Sequence, residues 1–183
     1  VTGCVATALA QVFAYWRFPE ALMADIPAYT TYTKRLKVPA IASGEPYDWD
    51  RMLDIYEEGY YSQEEADAVA KLMLHCGAAL QMDYTSSSSG ANIFLAKLTK
   101  YFGYDAETMQ ELERDHYSLE EWMDLLDAEL QAKRPVLYSG SSSTVGHQFV
   151  CDGSDGDGLY HINWGWGGYQ DGYFDITLLN PDK

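Results

Sequence analysis

A chain of 183 residues with 47% hydrophobic and 14% aromatic side chains has enough apolar material for a single core, which excludes a disordered segment. Its 28 acids and 12 bases give a formal net charge of −16, the sign of nucleic acid and anionic lipid, so neither is expected as a partner and a solvated acidic surface accounts for the excess. Three cysteines imply no closed disulfide framework, no apolar run approaches the roughly 20 residues of a membrane span, and no signal peptide is visible.

In chain order, residues 4–17 predict a helix, with Val5, Ala8, Leu9, Val12, Phe13 and Trp16 on one face at three- and four-residue steps until Pro19 forbids continuation. Cys4 stands at its start, where unpaired backbone N–H groups favour negative charge and thiolate. From the helix alone, a small buried cysteine filling a helix end is the commoner reading. The stretch 25–46, with Pro27, Pro39 and Pro46 among Tyr and Thr, reads as loop and short strand, and its Lys34-Arg35-x-Lys37 cluster reads as too short for a binding site. Tyr47-Asp48-Trp49 reads as an aromatic anchor whose Asp48 caps a helix over 51–56.

Ser62-Gln63-Glu64-Glu65 is a capping box opening a helix over 62–76 that Gly77 is expected to stop, with His75 at its last free carbonyls. A strand over 78–84 and an ordinary loop over 85–90 should follow. A short helix over 92–101 ended by Gly103, and a second capping box at Ser118-Leu119-Glu120-Glu121, complete the helical part. Segments 135–140, 146–151, 159–164 and 173–178 alternate as strands of an antiparallel sheet with Gly- and Asp-rich turns, which makes the fold class α+β.

The chemistry concentrates near the end. Gly146-His147-Gln148-Phe149-Val150 leads a strand whose hairpin partner, 159–164, should bring Asn163 back beside His147. An imidazole oriented by an amide is half of a thiol or hydroxyl hydrolase, and Cys4 is the cysteine in a suitable setting to be the other half. Cys76 and Cys151 lie in apolar runs that suit buried free thiols. A metal site is not expected. The His and Cys spacing around 147–161 fits no zinc pattern, and the Asp152-to-Gly158 turn lacks the glutamate of a calcium loop, Asn163 standing in its place. His161 reads as a hydrogen-bonded sheet histidine, and His116 as an exposed one. A second class of function stays open, a peptide- or carbohydrate-binding module presenting Trp164-Gly165-Trp166-Gly167-Gly168.

Taken together, residues 2–11 (Thr-Gly-Cys-Val-Ala-Thr-Ala-Leu-Ala-Gln), Gly146-His147-x-Phe149-Val150-x-Asp152-Gly153 and His161-Ile162-Asn163-Trp164-Gly165-Trp166-Gly167-Gly168 resemble the streptopain family of papain-like cysteine peptidases. The order Cys, His, Asn-Trp and the sixteen positions from His147 to Asn163 (163 − 147) match, and the likeness continues through Pro46-Tyr47-Asp48-Trp49, Leu74-His75-Cys76-Gly77, the 86–90 loop and 135–140. The resemblance implies one papain-like domain over 1–183, truncated at both ends, with a helical part carrying the Cys and a sheet part carrying the His. It implies Cys4 as nucleophile, His147 as general base and acid, Asn163 as the residue orienting the imidazole, and Trp164 as a shield over that pair. Ser88, Ser89, Gly90 and Gly146 are implied in substrate binding, around a pocket for an apolar side chain. No cofactor is implied. The implied partners are protein or peptide substrates and an inhibitory propeptide, and the implied location is secreted. The oxyanion glutamine is expected from a segment ahead of Val1, and a glycine-rich loop and final strand are expected after Asn180-Pro181, so residues 1–183 alone should be a poor enzyme. Gln148 departs from the small residue that usually follows the histidine.

Overall fold

The computed structural model describes residues 1–141 and 146–179, and Asn180-Pro181 lies outside them. The chain divides into two compact units, Val1–Met109 and Gln110–Lys183.

In the first unit the central element is α1, Cys4–Trp16. The expected apolar face is present, but Ala6 and Ala10 are buried as well, while Trp16 is exposed. Small side chains on the flanking faces let the helix lie inside the unit instead of along its edge. It packs against α2, Gln63–Ala79, and ends at Arg17 in the left-handed region (φ 49°), before Pro19. Phe13 meets Phe102 and Tyr104 with ring centroids 4.8 and 5.0 Å away. A two-stranded antiparallel ribbon, β1 (Tyr29–Thr30) with β2 (Lys37–Val38), and single bridges such as Ile26 to Ile41 organise the 25–46 stretch.

Both capping boxes form. Ser62 Oγ accepts the Glu65 N–H while the Glu65 carboxylate accepts the Ser62 N–H, and Ser118 and Glu121 do the same for α4, Leu119–Gln131. Helix α3, Leu95–Phe102, ends at Gly103 with φ 72°, as expected. Three expectations fail. Asp48 caps no helix; its carboxylate pairs with Arg51 at 3.0 Å, and a single 3-10 turn over Trp49–Arg51 gives way to extended chain, with the Leu53 N–H donated to the Tyr56 hydroxyl. Gly77 does not stop α2. It is buried inside the helix because the Tyr84 ring lies against it, where a Cβ would stand 2.1 Å from the Tyr84 hydroxyl oxygen. The helix ends two residues later at Ala79, and just beyond it Gln81 takes the left-handed conformation (φ 57°) while the Met82 and Gln81 N–H groups return to the Gly77 and Ala78 carbonyls. That turn also displaces the expected 78–84 strand, of which only the bridge from Asp83 to Gly90 remains.

The second unit sets α4 against a four-stranded antiparallel sheet in the order β3-β4-β5-β6: Val136–Ser141, Gly146–Ser154, Leu159–Asn163 and Gly172–Asp175. The last strand ends earlier than expected because the Asp175 carboxylate accepts the Thr177 N–H and hydroxyl, closing a turn. Trp122 and Leu126 of α4 cover Phe149, Cys151, Tyr160 and Ile162. Strand alternation that turns Phe149 and Cys151 into this core also turns His147 to the same face, at the core's end.

Candidate active site

The thiol sits where the helix begins. Gly3, immediately before Cys4, has φ 92°, a left-handed conformation that glycine adopts without strain, and a Cβ there would lie 2.9 Å from the Met82 thioether and 3.1 Å from the Ser89 carbonyl. No side chain caps this end and the first turn of α1 carries no acid, so the positive end of the helix is not neutralised by its own residues. Val1 and Gly3 rest on the 85–90 loop. The Val1 backbone nitrogen donates to the Thr85 carbonyl at 2.8 Å, and the buried Ser89 hydroxyl donates to the Val1 carbonyl at 2.7 Å. Thr85 Oγ1 accepts the Ser88 N–H at 2.9 Å, and Asp83 and Gly90 close the loop's base. Ser88, Ser89 and Gly90 are therefore brought to the chain segment that presents Cys4, and among the described residues nothing stands within 4 Å of a Cβ built on Gly90.

In the second unit His147, Asn163, Trp164 and Gly146 gather where β4 begins and β5 ends. The sheet register pairs Asn163 with Val150 across the strands, not with His147, and the Asn163 Oδ1 accepts the Gly165 N–H at 2.9 Å. The next residue supplies a partner for the imidazole: His147 Nε2 donates to the Trp164 carbonyl at 2.9 Å. A carbonyl only accepts, so the neutral ring carries its proton on Nε2 and leaves the Nδ1 lone pair able to take one. The Trp164 peptide is itself fixed by its N–H to the Asp171 carboxylate (2.9 Å) and its indole N–H to the Gln170 carbonyl (3.1 Å).

Aromatic rings enclose the imidazole. Phe149 and Trp164 lie 5.9 and 6.1 Å from it, and Trp166 is nearer at 5.0 Å, all close to parallel. Trp164 is only 3% exposed and belongs to the core, whereas Trp166 is 44% exposed and covers the ring from the solvent side. From sequence, Trp166 is named only within the aromatic-glycine run, with no role beside the imidazole, and Asp171 is not named. The signal was the alternation of Trp with Gly: Gly165, Gly167 and Gly168 all have positive φ, which coils the loop tightly enough to return the second indole over the histidine. Gln148 is engaged elsewhere, its amide donating to the Tyr138 carbonyl at 2.8 Å. Gly146 opens β4 exposed, with nothing among the described residues within 4 Å of a Cβ placed there.

The other candidate groups are structural. His161 donates from Nδ1 to the Asp152 carboxylate at 2.5 Å on the sheet surface, as a hydrogen-bonded sheet histidine should. His75 does not cap the end of α2; it is buried within the helix and shares a 2.8 Å hydrogen bond with the Tyr47 hydroxyl. Burial, with Lys71 nearby, holds its imidazole at about 4, so it is neutral at pH 7. Cys76 and Cys151 are fully buried, and burial pushes both thiols up, Cys151 to about 12. Among the described residues no three His, Cys, Asp or Glu side chains converge to hold a metal, and no helix is long and apolar enough to cross a membrane.

The chain is similar to known proteins along nearly its whole length. It is 37% identical over 191 residues to streptopain of Streptococcus pyogenes, covering 98% of this chain and 46% of the relative, so it spans under half the length of those relatives. The thiol protease/hemagglutinin PrtT of Porphyromonas gingivalis is 34% identical over 181 residues, 98% of this chain and 21% of that protein. The structure of active wild-type interpain A cysteine protease from Prevotella intermedia superposes with a TM-score of 0.87 at 39% identity, covering 99% of this chain and 77% of the other. A prointerpain A fragment from the same organism superposes at 0.83 and 40% identity, covering 98% and 58%. The α+β, papain-like fold is thus shared with these proteases. The sequence model described as the Peptidase C10 family matches residues 1–174, and the chain belongs to that family.

Proposed function

We propose that this chain is the catalytic domain of a cysteine endopeptidase, one functional domain over residues 1–183, with Cys4 as nucleophile and His147 as its general base and acid. The observation that carries the reading is the His147 tautomer. Its Nε2–H donates to the Trp164 carbonyl, which makes Nδ1 the ring nitrogen that gains and loses the proton when the imidazole acts as base and acid. The Cys4 thiolate would add to the peptide carbonyl, the imidazolium would protonate the departing amine, and water deprotonated by the neutral imidazole would then hydrolyse the thioester. Asn163 and Trp164 orient and shield the imidazole, joined in that role by Trp166. Ser88, Ser89 and Gly90 are assigned to substrate binding, as is Gly146, whose open strand start suits pairing with an extended peptide. The prointerpain A fragment among the similar structures supports a propeptide here; an inhibitory action of that propeptide and export belong to the same proposal.

Selective alkylation tests the assignment of the nucleophile. At about pH 6, where an ordinary thiol near 8.5 is almost wholly protonated, iodoacetamide should modify Cys4 at least about tenfold faster than Cys76 or Cys151. Equal labelling of the three, mapped by peptide mass, would contradict it.

A further inference from the structure

The basic cluster dismissed on length is set in a defined structure. Three of the twelve bases, Lys34, Arg35 and Lys37, fall within four positions of a chain carrying a formal charge of −16. Four other cations pair with acids, Arg17 with Asp50, Arg51 with Asp48, Lys71 with Glu45 and Arg134 with Glu129, while Lys97 and Lys100 lie over the Phe94 and Tyr101 rings. None of the described acids pairs with Lys34, Arg35 or Lys37, and all three are exposed. In so acidic a chain, three neighbouring exposed cations left without carboxylates make a locally positive patch.

The hairpin that carries them is anchored. The Thr31 N–H donates to the Leu36 carbonyl and the Leu36 N–H to Thr31 Oγ1, both at 2.9 Å, and Arg35 turns the tip with φ 54°. The Thr33 N–H and hydroxyl both donate to the Asp83 carboxylate, at 2.9 and 2.6 Å, and the Tyr29 hydroxyl donates to the Met82 carbonyl at 2.8 Å. Met82 underlies Gly3, and the Asp83 N–H donates to the Gly90 carbonyl at 2.9 Å. The cationic tip is thereby tied to the loop that holds Ser88 and Ser89, and the Asp83 carboxylate that anchors it is bonded through both oxygens to Thr33 and not to Lys34, Arg35 or Lys37. Beside it runs an open groove of about 410 Å³ along Tyr29, Thr30, Lys37 and Val38.

We propose that the hairpin of Lys34, Arg35 and Lys37 is a cationic subsite flanking the 85–90 loop, which engages acidic side chains of a polypeptide substrate distant from the scissile bond. Preformed by its anchors, it orders few groups on binding. This deepens the peptidase reading and rests on it. The occupant follows from charge: an acidic segment is repelled by most of this surface and attracted here.

The test uses two labelled peptides with one apolar core, extended by four Glu or by four Gln, and the protein with Cys4→Ala so that neither peptide is cut. By fluorescence anisotropy at low salt the Glu peptide should bind about three- to thirtyfold more tightly than the Gln peptide. That preference should vanish at about 0.5 M salt and in Lys34→Gln/Arg35→Gln/Lys37→Gln. The triple variant with Cys4 intact should hydrolyse the Gln peptide as the parent does, which also shows that it folds. Equal binding of the two peptides overturns the proposal, as does a preference that survives the triple substitution. Self-association of the parent that the triple variant loses, without a Glu preference, overturns it in favour of a second copy as occupant. Failure of the peptidase reading looks different: no hydrolysis of either peptide, with the Glu preference intact.

Discussion

Replacing His147 with alanine is expected to lower kcat/KM for peptide hydrolysis by about 10²- to 10⁴-fold. The imidazole is held for proton transfer by the Trp164 carbonyl and stacked between Phe149 and Trp166. His161→Ala is the matched control. That ring is also a strand histidine with a fixed partner, but the partner is the Asp152 carboxylate on the sheet surface, so hydrolysis should change less than about twofold. Trp166→Ala should fall between the two, because it opens the solvent side of the imidazole without touching the Nε2 bond. If the protein containing this chain keeps activity within threefold after His147→Ala, His147 has no part in the proton transfer.

A second large effect is on stability. His75 is neutral in the folded protein, held at about 4 by burial and by Lys71, against an unfolded value near 6.5. Between those two values the unfolded chain binds the proton and the folded one does not, so protonation favours unfolding. The contribution is complete above about pH 6.5 and is lost as pH falls towards 4. Tyr47 and Lys71 leave the site partly polar, so the loss should be about 1–3 kcal/mol, less than the full shift would give. Urea midpoints at pH 7 and pH 4.5 for the parent and His75→Gln isolate it from the carboxylates. The parent should lose that much more than the variant over the interval. Equal losses would mean that His75 titrates as if exposed.

Signals that act within one turn of chain were legible. The two Ser-x-x-Glu boxes, Gly103 and the apolar periodicity of α1 each specify a backbone state with the residues next to them. Glycine was ambiguous where tertiary packing used it. Gly77 serves the Tyr84 ring, a residue seven positions on, and the left-handed cap went to Gln81, which no propensity favours. Asp48 found Arg51 instead of a helix end. In the candidate site, Cys4 at a helix start and His147 on a strand could be read from pattern, but the relation of His147 to Asn163 could not. Hairpin register is fixed at the turn, where Asp155 accepts the Asp157 and Leu159 N–H groups, and again at the irregularity between Cys151 and Gly153. Those choices set Asn163 across from Val150 and deliver a backbone carbonyl, invisible to any residue-type motif, to the imidazole.

The acyl-enzyme is the species on which the account stands. Mixing the protein that contains this chain with a peptide ester, quenching in acid within the turnover time and mapping the adduct by mass should place the peptidyl group on Cys4 as a thioester, with none in Cys4→Ala. Hydrolysis of the ester that proceeds with no adduct on Cys4, or with the acyl group on Cys76, Cys151 or a hydroxyl, would contradict it.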